Sequence, residues 1–323
     1  MHHKKINKQD GLTLIELMVA VTLGMLLLLG LATIFERNSS ARNELERSSR
    51  QLENGRYALQ LLSSDIRLAG YLGEFYATAS PAAVPANPCS TVLTDLQTAY
   101  PLHVQGYNDG SGSLSCISDY KGGDVIVVRR ASTCSSANPA DANCEAITAT
   151  HPYFQASGCG TDTVPAFRLD TNTANLNLRK IGCSNAASQR RFLTHIYYVA
   201  NNNVGSDGIP TLKRWELGSA TNPVPLVEGI ESLQFEYGID SNDDGAPNSY
   251  SSSPATVADW FNVVTVKIHL LARNETPSPG YVDSKFYMLG DTRLPASGTF
   301  GDAYRRHAYS TTVILDNPAG RRQ

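Results

Sequence analysis

The chain has 323 residues, of which 41% are hydrophobic, and a formal net charge of −3 at neutral pH. This length is enough for one or two sizeable cores. The weak negative charge excludes the basic field of a nucleic-acid-binding protein, so no direct nucleic-acid site is expected. The sequence contains no Gly-x-Ser-x-Gly, phosphate-loop or HExxH motif, and its histidines are scattered, so no enzyme is predicted.

An apolar segment, residues 12–35, follows Gly11 directly and holds one charged residue, Glu16, and no proline. As a helix it would extend roughly 36 Å, enough for a bilayer core of about 30 Å. The segment is longer than the apolar core of a secretory signal peptide, and no small-residue cleavage site follows it. A plain membrane anchor has no need of Glu16, because a carboxylate inside a membrane is costly. The lysines before Gly11 predict a cytoplasmic N-terminus and an exported C-terminal domain.

This pattern resembles the class III signal of type IV prepilins, which places a glutamate at the fifth position after the glycine. The resemblance implies that residues 1–11 are a leader peptide, and that a prepilin peptidase cuts between Gly11 and Leu12 and N-methylates Leu12. Leu12 stands where most mature pilins of the family have phenylalanine. The family role of Glu16 would be to meet the terminal amine of a neighbouring subunit and set the assembly register. Pairing of Glu16 with its own terminus is the alternative.

Helical periodicity continues beyond the apolar segment and predicts one helix over residues 12–69. Its second half, residues 36–70, is amphipathic. The apolar stripe is expected at Leu45, Leu52, Leu59 and Ile66, with Gly55, Leu62 and Ala69 beside it. We expect this stripe to pack on the chain's own β-rich domain, residues 71–323, although a coiled coil with another protein would use the same pattern.

Six cysteines lie in one polar third of the chain: Cys89, Cys116, Cys134, Cys144, Cys159 and Cys183. An even number of cysteines in an exported domain favours disulfides, and six cysteines allow fifteen pairings. Sequential pairing is expected here because it closes local loops. A zinc site is the alternative, but the sequence has no CxxC and no histidine at ligand spacing.

Several strands are predicted after the helix, with no alternation of strands and helices. The segments are residues 124–130, a hairpin of 195–200 with 211–217, then 232–238, 263–272 and 305–315. A short helical turn is expected at 226–230, and loops at 78–116 and 134–159. The predicted fold class is α+β and pilin-like, with a long N-terminal helix on antiparallel sheet and disulfide-closed loops.

Residues 226–238 with Asp240, residues 65–71 and residues 264–273 resemble the PilW family of minor pilins. The resemblance implies an inner-membrane protein with a periplasmic C-terminus that is later incorporated at or near the tip of a type IV pilus. Its implied partners are other minor pilins, the major pilin, a large tip adhesin and the prepilin peptidase. The implied role is to prime pilus assembly and support twitching motility, adhesion or DNA uptake. A J-type minor pseudopilin of type II secretion and a pilin-anchored ligand- or calcium-binding module are the alternatives.

One loop has oxygen-bearing side chains at alternate positions followed by glycine, as in the first half of a calcium loop. The candidate ligands are Asp240, Asn242 and Asp244, with Asp259 as a residue that might complete the site. An ordinary acidic hairpin turn explains the same residues. No other cofactor is predicted.

Overall fold

The computed structural model describes residues 11, 13–75, 87–110, 114–136, 144–148, 150–162, 166–219 and 223–322. The chain divides into two compact units, Met1–Ser49 and Arg50–Gln323. The predicted leader before Gly11, and Leu12 itself, lie outside the described residues.

A single helix, α1 (Leu14–Arg67), runs through 54 residues and starts in the first unit. The apolar side chains of its first half are exposed along their whole length, with Leu14 at 77% and Phe35 at 76%. By length and composition this helix could cross a membrane. Within the first unit, Thr22 and Thr33 donate their hydroxyls to the carbonyls of Val19 and Gly30 one turn earlier. These two hydroxyls are therefore satisfied within the helix itself.

The second half of α1 buries a stripe that only partly matches the prediction. The buried residues are Gln51, Gly55, Ala58, Leu62, Asp65 and Ile66. Leu45 is 71% exposed and Leu52 is 37% exposed, so the expected stripe through these two leucines is wrong. The stripe is displaced toward the small residues Gly55 and Ala58, because small side chains let a helix approach a sheet closely.

Antiparallel strands form the rest of the second unit. Among the described residues the larger sheet has seven strands, β1 (Val104–Tyr107), β2 (Val125–Ala131), β3 (Tyr153–Ala156), β4 (Phe167–Asp170), β5 (Gln189–Ala200), β6 (Thr211–Glu216) and β7 (Val224–Glu228). Its central strand β5 pairs with β2 on one side, and with β3 and then β6 on the other. The long β5 thus joins two shorter sheets into one.

A second sheet has the order β13-β10-β8-β9, from β8 (Ile230–Ile239), β9 (Ser249–Ser251), β10 (Val263–Arg273) and β13 (Arg306–Ile314). The strands β11 (Tyr287–Leu289) and β12 (Thr292–Leu294) make a separate hairpin. Three short α-helices, α2 (Leu93–Ala99), α3 (Val257–Phe261) and α4 (Asp316–Gly320), and one 3-10 turn, Thr173–Asn175, complete the described elements. The predicted α+β class with antiparallel sheet is confirmed. The helical turn expected at 226–230 is wrong, because most of that segment lies in β7 and pairs with β6.

Both faces of the larger sheet are buried, which explains the unbroken apolar run in β2. Ile126 and Val128 lie in one core with Ala58, Leu62 and Ile66 of α1 and with the second sheet. Val125 and Val127 lie in the other core, on the opposite face. Because strand residues alternate between faces, a strand covered on both sides must be apolar at every position.

Disulfides tie the loops of this second core in the predicted sequential order. The bonded pairs are Cys89–Cys116, Cys134–Cys144 and Cys159–Cys183. The expected sequential pairing is confirmed.

Candidate functional site

The predicted processing segment ends in a capping box that fixes the start of α1. Gly11 is exposed, and Thr13 occupies the N-cap position just before Leu14. The Thr13 backbone N–H and hydroxyl donate to Oε2 of Glu16 at 2.9 and 2.8 Å, while the Glu16 N–H donates to the Thr13 hydroxyl at 3.3 Å. Glu16 thus satisfies a helix-terminal donor that would otherwise have no partner.

This capping box was not part of the sequence prediction, although its signal is present. Thr13 followed three residues later by Glu16 at the head of an apolar run is the standard pattern. Glu16 therefore has a local partner in the uncleaved chain, in addition to the terminal amine that the prepilin resemblance implies. Cleavage at Gly11, methylation of Leu12 and the register role of Glu16 stay predictions.

A buried ionic cluster lies at the other end of α1, where the helix meets the larger sheet. Asp65 is 7% exposed. Its carboxylate accepts from Arg130 Nε at 2.7 Å, from His195 at 2.7 Å and from the Tyr197 hydroxyl at 2.8 Å. We call these four residues the Asp65 cluster. Its members come from α1, β2 and β5, so it attaches the last turns of the helix to two neighbouring strands.

The titration of the Asp65 cluster follows from burial and opposite charge. Burial alone would raise the pKa of Asp65, but the charges of His195 and Arg130 and their hydrogen bonds outweigh burial and lower it. Burial would lower the pKa of His195, and the Asp65 carboxylate reverses this effect and raises it. The helix end is therefore held by an ion pair in the protein interior.

A polar pocket continues from the Asp65 cluster toward the surface. His195 Nε2 lies 3.5 Å from Glu216 Oε2, and Glu216 accepts from Arg191 at 2.7 Å and Arg214 at 2.8 Å. Burial raises the pKa of Glu216, but its partners, His195 first, lower it to about 2. In the sequence, His195 is one of several scattered histidines. Its role in the cluster could not be predicted from the sequence, because its partners Asp65 and Glu216 are distant along the chain.

The predicted calcium ligands lie in a closed turn. The Asp240 carboxylate is fully buried and accepts from the backbone N–H groups of Asn242, Asp243 and Gly245 at 3.1, 2.7 and 2.9 Å. Its Oδ2 also lies 3.5 Å from Arg322 Nη1. No group of three or more histidine, cysteine or acidic residues able to hold a metal occurs in the described part of the chain. The calcium site stays a prediction, and its central carboxylate already has other partners.

The possible fourth ligand, Asp259, also has a local role. Its carboxylate accepts from the Thr256 N–H at 2.9 Å, and its own N–H donates to the Thr256 hydroxyl at 3.1 Å. The two residues form the capping box of α3. Asp259 therefore starts a helix by the same hydrogen-bonding pattern as Glu16.

Two family models match the chain. Residues 6–32 match the prokaryotic N-terminal methylation motif, and residues 196–317 match type IV pilus-assembly protein W. The first covers the predicted cleavage segment, and the second covers the end of β5 through β13. In these two segments the chain is similar to PilW-type minor pilins of type IV pili.

Other comparisons add little to this assignment. The chain resembles a type IV-like pilin from Thermus thermophilus with a TM-score of 0.36 and 12% sequence identity, over 83% of this chain and 97% of that chain. At that degree of overlap the structural likeness carries no further weight. A search among curated proteins gave no match. The methylation motif and the exposed apolar helix support membrane anchoring and incorporation into a pilus.

Proposed function

We propose that this protein is a minor pilin, which is cut after Gly11, held in the inner membrane by residues 12–35 and then incorporated at or near the tip of a type IV pilus. There it primes assembly with other minor pilins and a large tip adhesin, and so supports twitching motility, adhesion or DNA uptake. Its task is structural, with no enzymatic step. The single observation that carries the proposal is the methylation motif at residues 6–32 on a chain whose C-terminal part matches PilW.

The exposed apolar half of α1 supports incorporation into a multi-subunit assembly. A continuous apolar surface of this length is costly in water, so it needs a membrane or the apolar helices of other subunits around it. Glu16 lies at the start of that surface. After cleavage, an ammonium group at Leu12 would lie about one turn away, and an opposite charge offsets the cost of placing a carboxylate in an apolar setting.

Mass-spectrometric detection of the protein in sheared pili tests the proposal. Wild-type protein is expected in the pilus fraction, and a Gly11→Leu variant is expected to remain uncut in the membrane. Absence of the wild-type protein from pili, together with normal piliation in a deletion strain, would overturn the proposed function.

The capping box permits a sharper test of Glu16. Glu16→Gln keeps an acceptor oxygen for the Thr13 N–H but removes the charge, whereas Thr13→Ala removes the hydroxyl of the cap and keeps the charge. If Glu16 acts through the terminal amine, only Glu16→Gln lowers incorporation. If its role is to cap α1, Thr13→Ala is the more harmful change. Glu36→Gln, an exposed carboxylate on the same helix, is the matched control.

Co-purification separates the pilus role from the alternatives. Recovery of other minor pilins with the full-length protein supports the proposal, and recovery of type II secretion components instead would assign it to a pseudopilus. A protein that retains no pilin partner at all would be a pilin-anchored binding module.

A further inference from the structure

β13 is the longest edge strand among the described residues. It has nine residues and pairs with β10 without a shift in register, and no strand of the described part of the chain lies on its other side. The other sheet edges are shorter: β1 and β4 have four residues and β9 has three. β7 has five residues, with Pro225 inside the strand and a register shift against β6. Short length, proline and bulges prevent an edge strand from pairing with another chain, and β13 has none of them.

The hydrogen bonds at the two ends of β13 show which of its main-chain groups point away from the sheet. At one end the Leu315 N–H donates to the Val264 carbonyl at 2.9 Å, and at the other the Asn274 N–H donates to the Arg305 carbonyl at 3.1 Å. In an antiparallel ladder only every second residue exchanges hydrogen bonds with its partner strand. After His307, the residues whose N–H and C=O groups point outward are therefore Ala308, Ser310, Thr312 and Ile314.

These four outward residues have no main-chain partner in the part of the chain that the structure describes. Arg306, the preceding outward residue, differs because its carbonyl accepts from the Tyr287 hydroxyl at 3.4 Å. Ser310, Thr312 and Ile314 are all exposed to solvent. We call residues 308–314 the β13 edge. Its donors and acceptors have the spacing of a β-ladder, so the ligand that matches them is the backbone of another extended chain.

The side chains beside the β13 edge indicate which kind of strand fits. On the inner face Tyr309 contacts Gly55 of α1, and its hydroxyl donates to the carbonyl of the exposed Leu52 at 3.5 Å. On the outer face Thr312 and Ile314 are uncharged and exposed. Because successive side chains of an added strand point to opposite faces, apolar or β-branched residues at alternate positions would contact both groups. A proline in that strand would remove one of its hydrogen-bond donors.

A second copy of the chain fits the β13 edge less well than a different chain. The second half of α1 runs in the same direction as β13, since Gln51 donates to the Arg305 carbonyl before the strand and Asn317 donates to the Ala69 carbonyl after it. Two copies paired antiparallel through this edge would be related by a two-fold axis, which reverses one copy relative to the other. Subunits anchored in one membrane through residues 12–35 share one orientation. The geometry therefore favours a different chain.

We propose that the β13 edge binds an extended segment of another pilus subunit, which adds as a strand to the second sheet. The segment contains no proline and carries apolar or β-branched side chains at alternate positions. This inference rests on the proposed function, because it assigns the surface through which the protein holds a neighbouring subunit. Contacts between apolar helices would join subunits without using this edge, so the two proposals are tested separately.

Amide hydrogen exchange, resolved by residue with mass spectrometry, tests the proposal. The tagged full-length protein is purified in detergent micelles, once from a heterologous host without other pilins and once with the minor pilins of its own cell, each identified by mass. In the complex, the N–H groups of Ser310, Thr312 and Ile314 should exchange about a hundredfold more slowly than in the protein alone. Those of Thr311 and Val313 bond to β10 and should exchange slowly in both samples.

Two variants of one residue separate main-chain pairing from side-chain contact. Thr312→Pro removes an outward N–H that has no partner in the described part of the chain, so thermal unfolding of the second unit should change little. The slow exchange of Ser310 and Ile314 in the complex should be lost. Thr312→Ala is the matched control, because it keeps both main-chain groups and should retain the slow exchange. Equally slow exchange in Thr312→Pro would overturn main-chain pairing.

The measurements on the wild type distinguish failure of this inference from failure of the proposed function, and they hold even if Thr312→Pro does not fold. If minor pilins accompany the protein but its outward amides exchange as fast as in the protein alone, the β13 edge is not the binding surface and the proposed function stands. If no minor pilin accompanies the protein, both proposals are wrong. Slow exchange in a complex that contains only this chain would assign the edge to a second copy and overturn the proposed partner.

Discussion

The two halves of α1 belong to one unbroken helix but have opposite surroundings. In the first half, large apolar residues such as Leu28 and Phe35 are exposed. In the second half, the small residues Gly55 and Ala58 and the charged Asp65 are buried. The first half depends on a membrane or on other subunits for its burial, while the second half is stabilised by its own domain. Helix periodicity alone therefore does not tell which partner a helix face contacts.

The largest expected effect on stability is at Asp65, the buried charged residue in the second half of α1. Asp65→Asn leaves Arg130 and His195 without their carboxylate, so we expect a loss of about 3–5 kcal/mol in the free energy of unfolding at pH 7. The pKa of Asp65 is lowered in the folded protein. Its contribution is therefore present above the unfolded pKa of about 3.9 and is lost as the pH falls below that value.

Chemical unfolding of the full-length chain between pH 2 and pH 7 measures both effects. The difference between wild type and Asp65→Asn should narrow as the solution is acidified from about pH 4. Glu53→Gln, which alters an exposed carboxylate of the same helix, is the control and should change little. A constant difference down to pH 2 would mean that Asp65 stabilises the protein through packing rather than charge.

The next largest effect concerns the disulfides, all of which lie in the second unit. The Cys89–Cys116 bond closes a longer loop than Cys134–Cys144, with sequence separations of 27 and 10. In the chain-entropy description, replacing the cysteines by serine should lower the free energy of unfolding by about 3.5 kcal/mol for Cys89–Cys116 and by about 2.7 kcal/mol for Cys134–Cys144. Thermal unfolding of the second unit is the measurement. The helical circular dichroism of the first half should persist after reduction, and its loss would show that the two halves are not independent.

Much of this fold was predictable because its main elements carry strong local patterns. α1, β2, β6, β8, β10 and β13 were anticipated within a few residues. β5 was anticipated only in its second half, because the prediction began at residue 195 and the strand begins at Gln189. The elements that were missed, such as α2, β1, β3 and β4, are 4 to 7 residues long, and all of these except β4 lie in segments predicted as loops. Such short strands exist because they pair with longer neighbours, and a single segment carries little sign of that pairing.

The sites show the same division. Gly11 and Glu16 were recognised because their pattern is continuous in sequence, and even the unnoticed capping box with Thr13 could have been found there. The Asp65 cluster could not be predicted from the sequence, since Asp65 and His195 are 130 residues apart. Only the folding of β5 against α1 brings them together. The displaced stripe of α1 has a similar cause, because close approach to Tyr309 favours Gly55 over the leucines.

Glycines of α1 offer a smaller, directly matched comparison of its halves. A Cβ at Gly55 would collide with the Tyr309 ring, whereas a Cβ at Gly30 meets no atom within 4 Å. Gly55→Ala should therefore destabilise the second unit by about 1–3 kcal/mol despite the better helix propensity of alanine. Gly30→Ala should leave its unfolding unchanged. If Gly55→Ala is neutral, the Tyr309 ring moves aside easily and the buried stripe is less tightly packed than its contacts indicate.

The smallest expected effect is at Asp240 in the second unit. The Asp240→Asn variant tests whether this carboxylate stabilises its turn or binds a metal. Asp240→Asn keeps one acceptor oxygen for the three backbone donors of its turn but loses the charge facing Arg322. We expect the free energy of unfolding to fall by about 1–2 kcal/mol, because the hydrogen bonds to a buried charged group are weakened. Because these partners are internal, the cost should be the same with calcium and with a chelator. Thermal unfolding with and without calcium, using Asp244→Asn for comparison, measures it. A stabilisation by calcium that both variants lose would instead establish the metal site predicted at Asp240, Asn242 and Asp244.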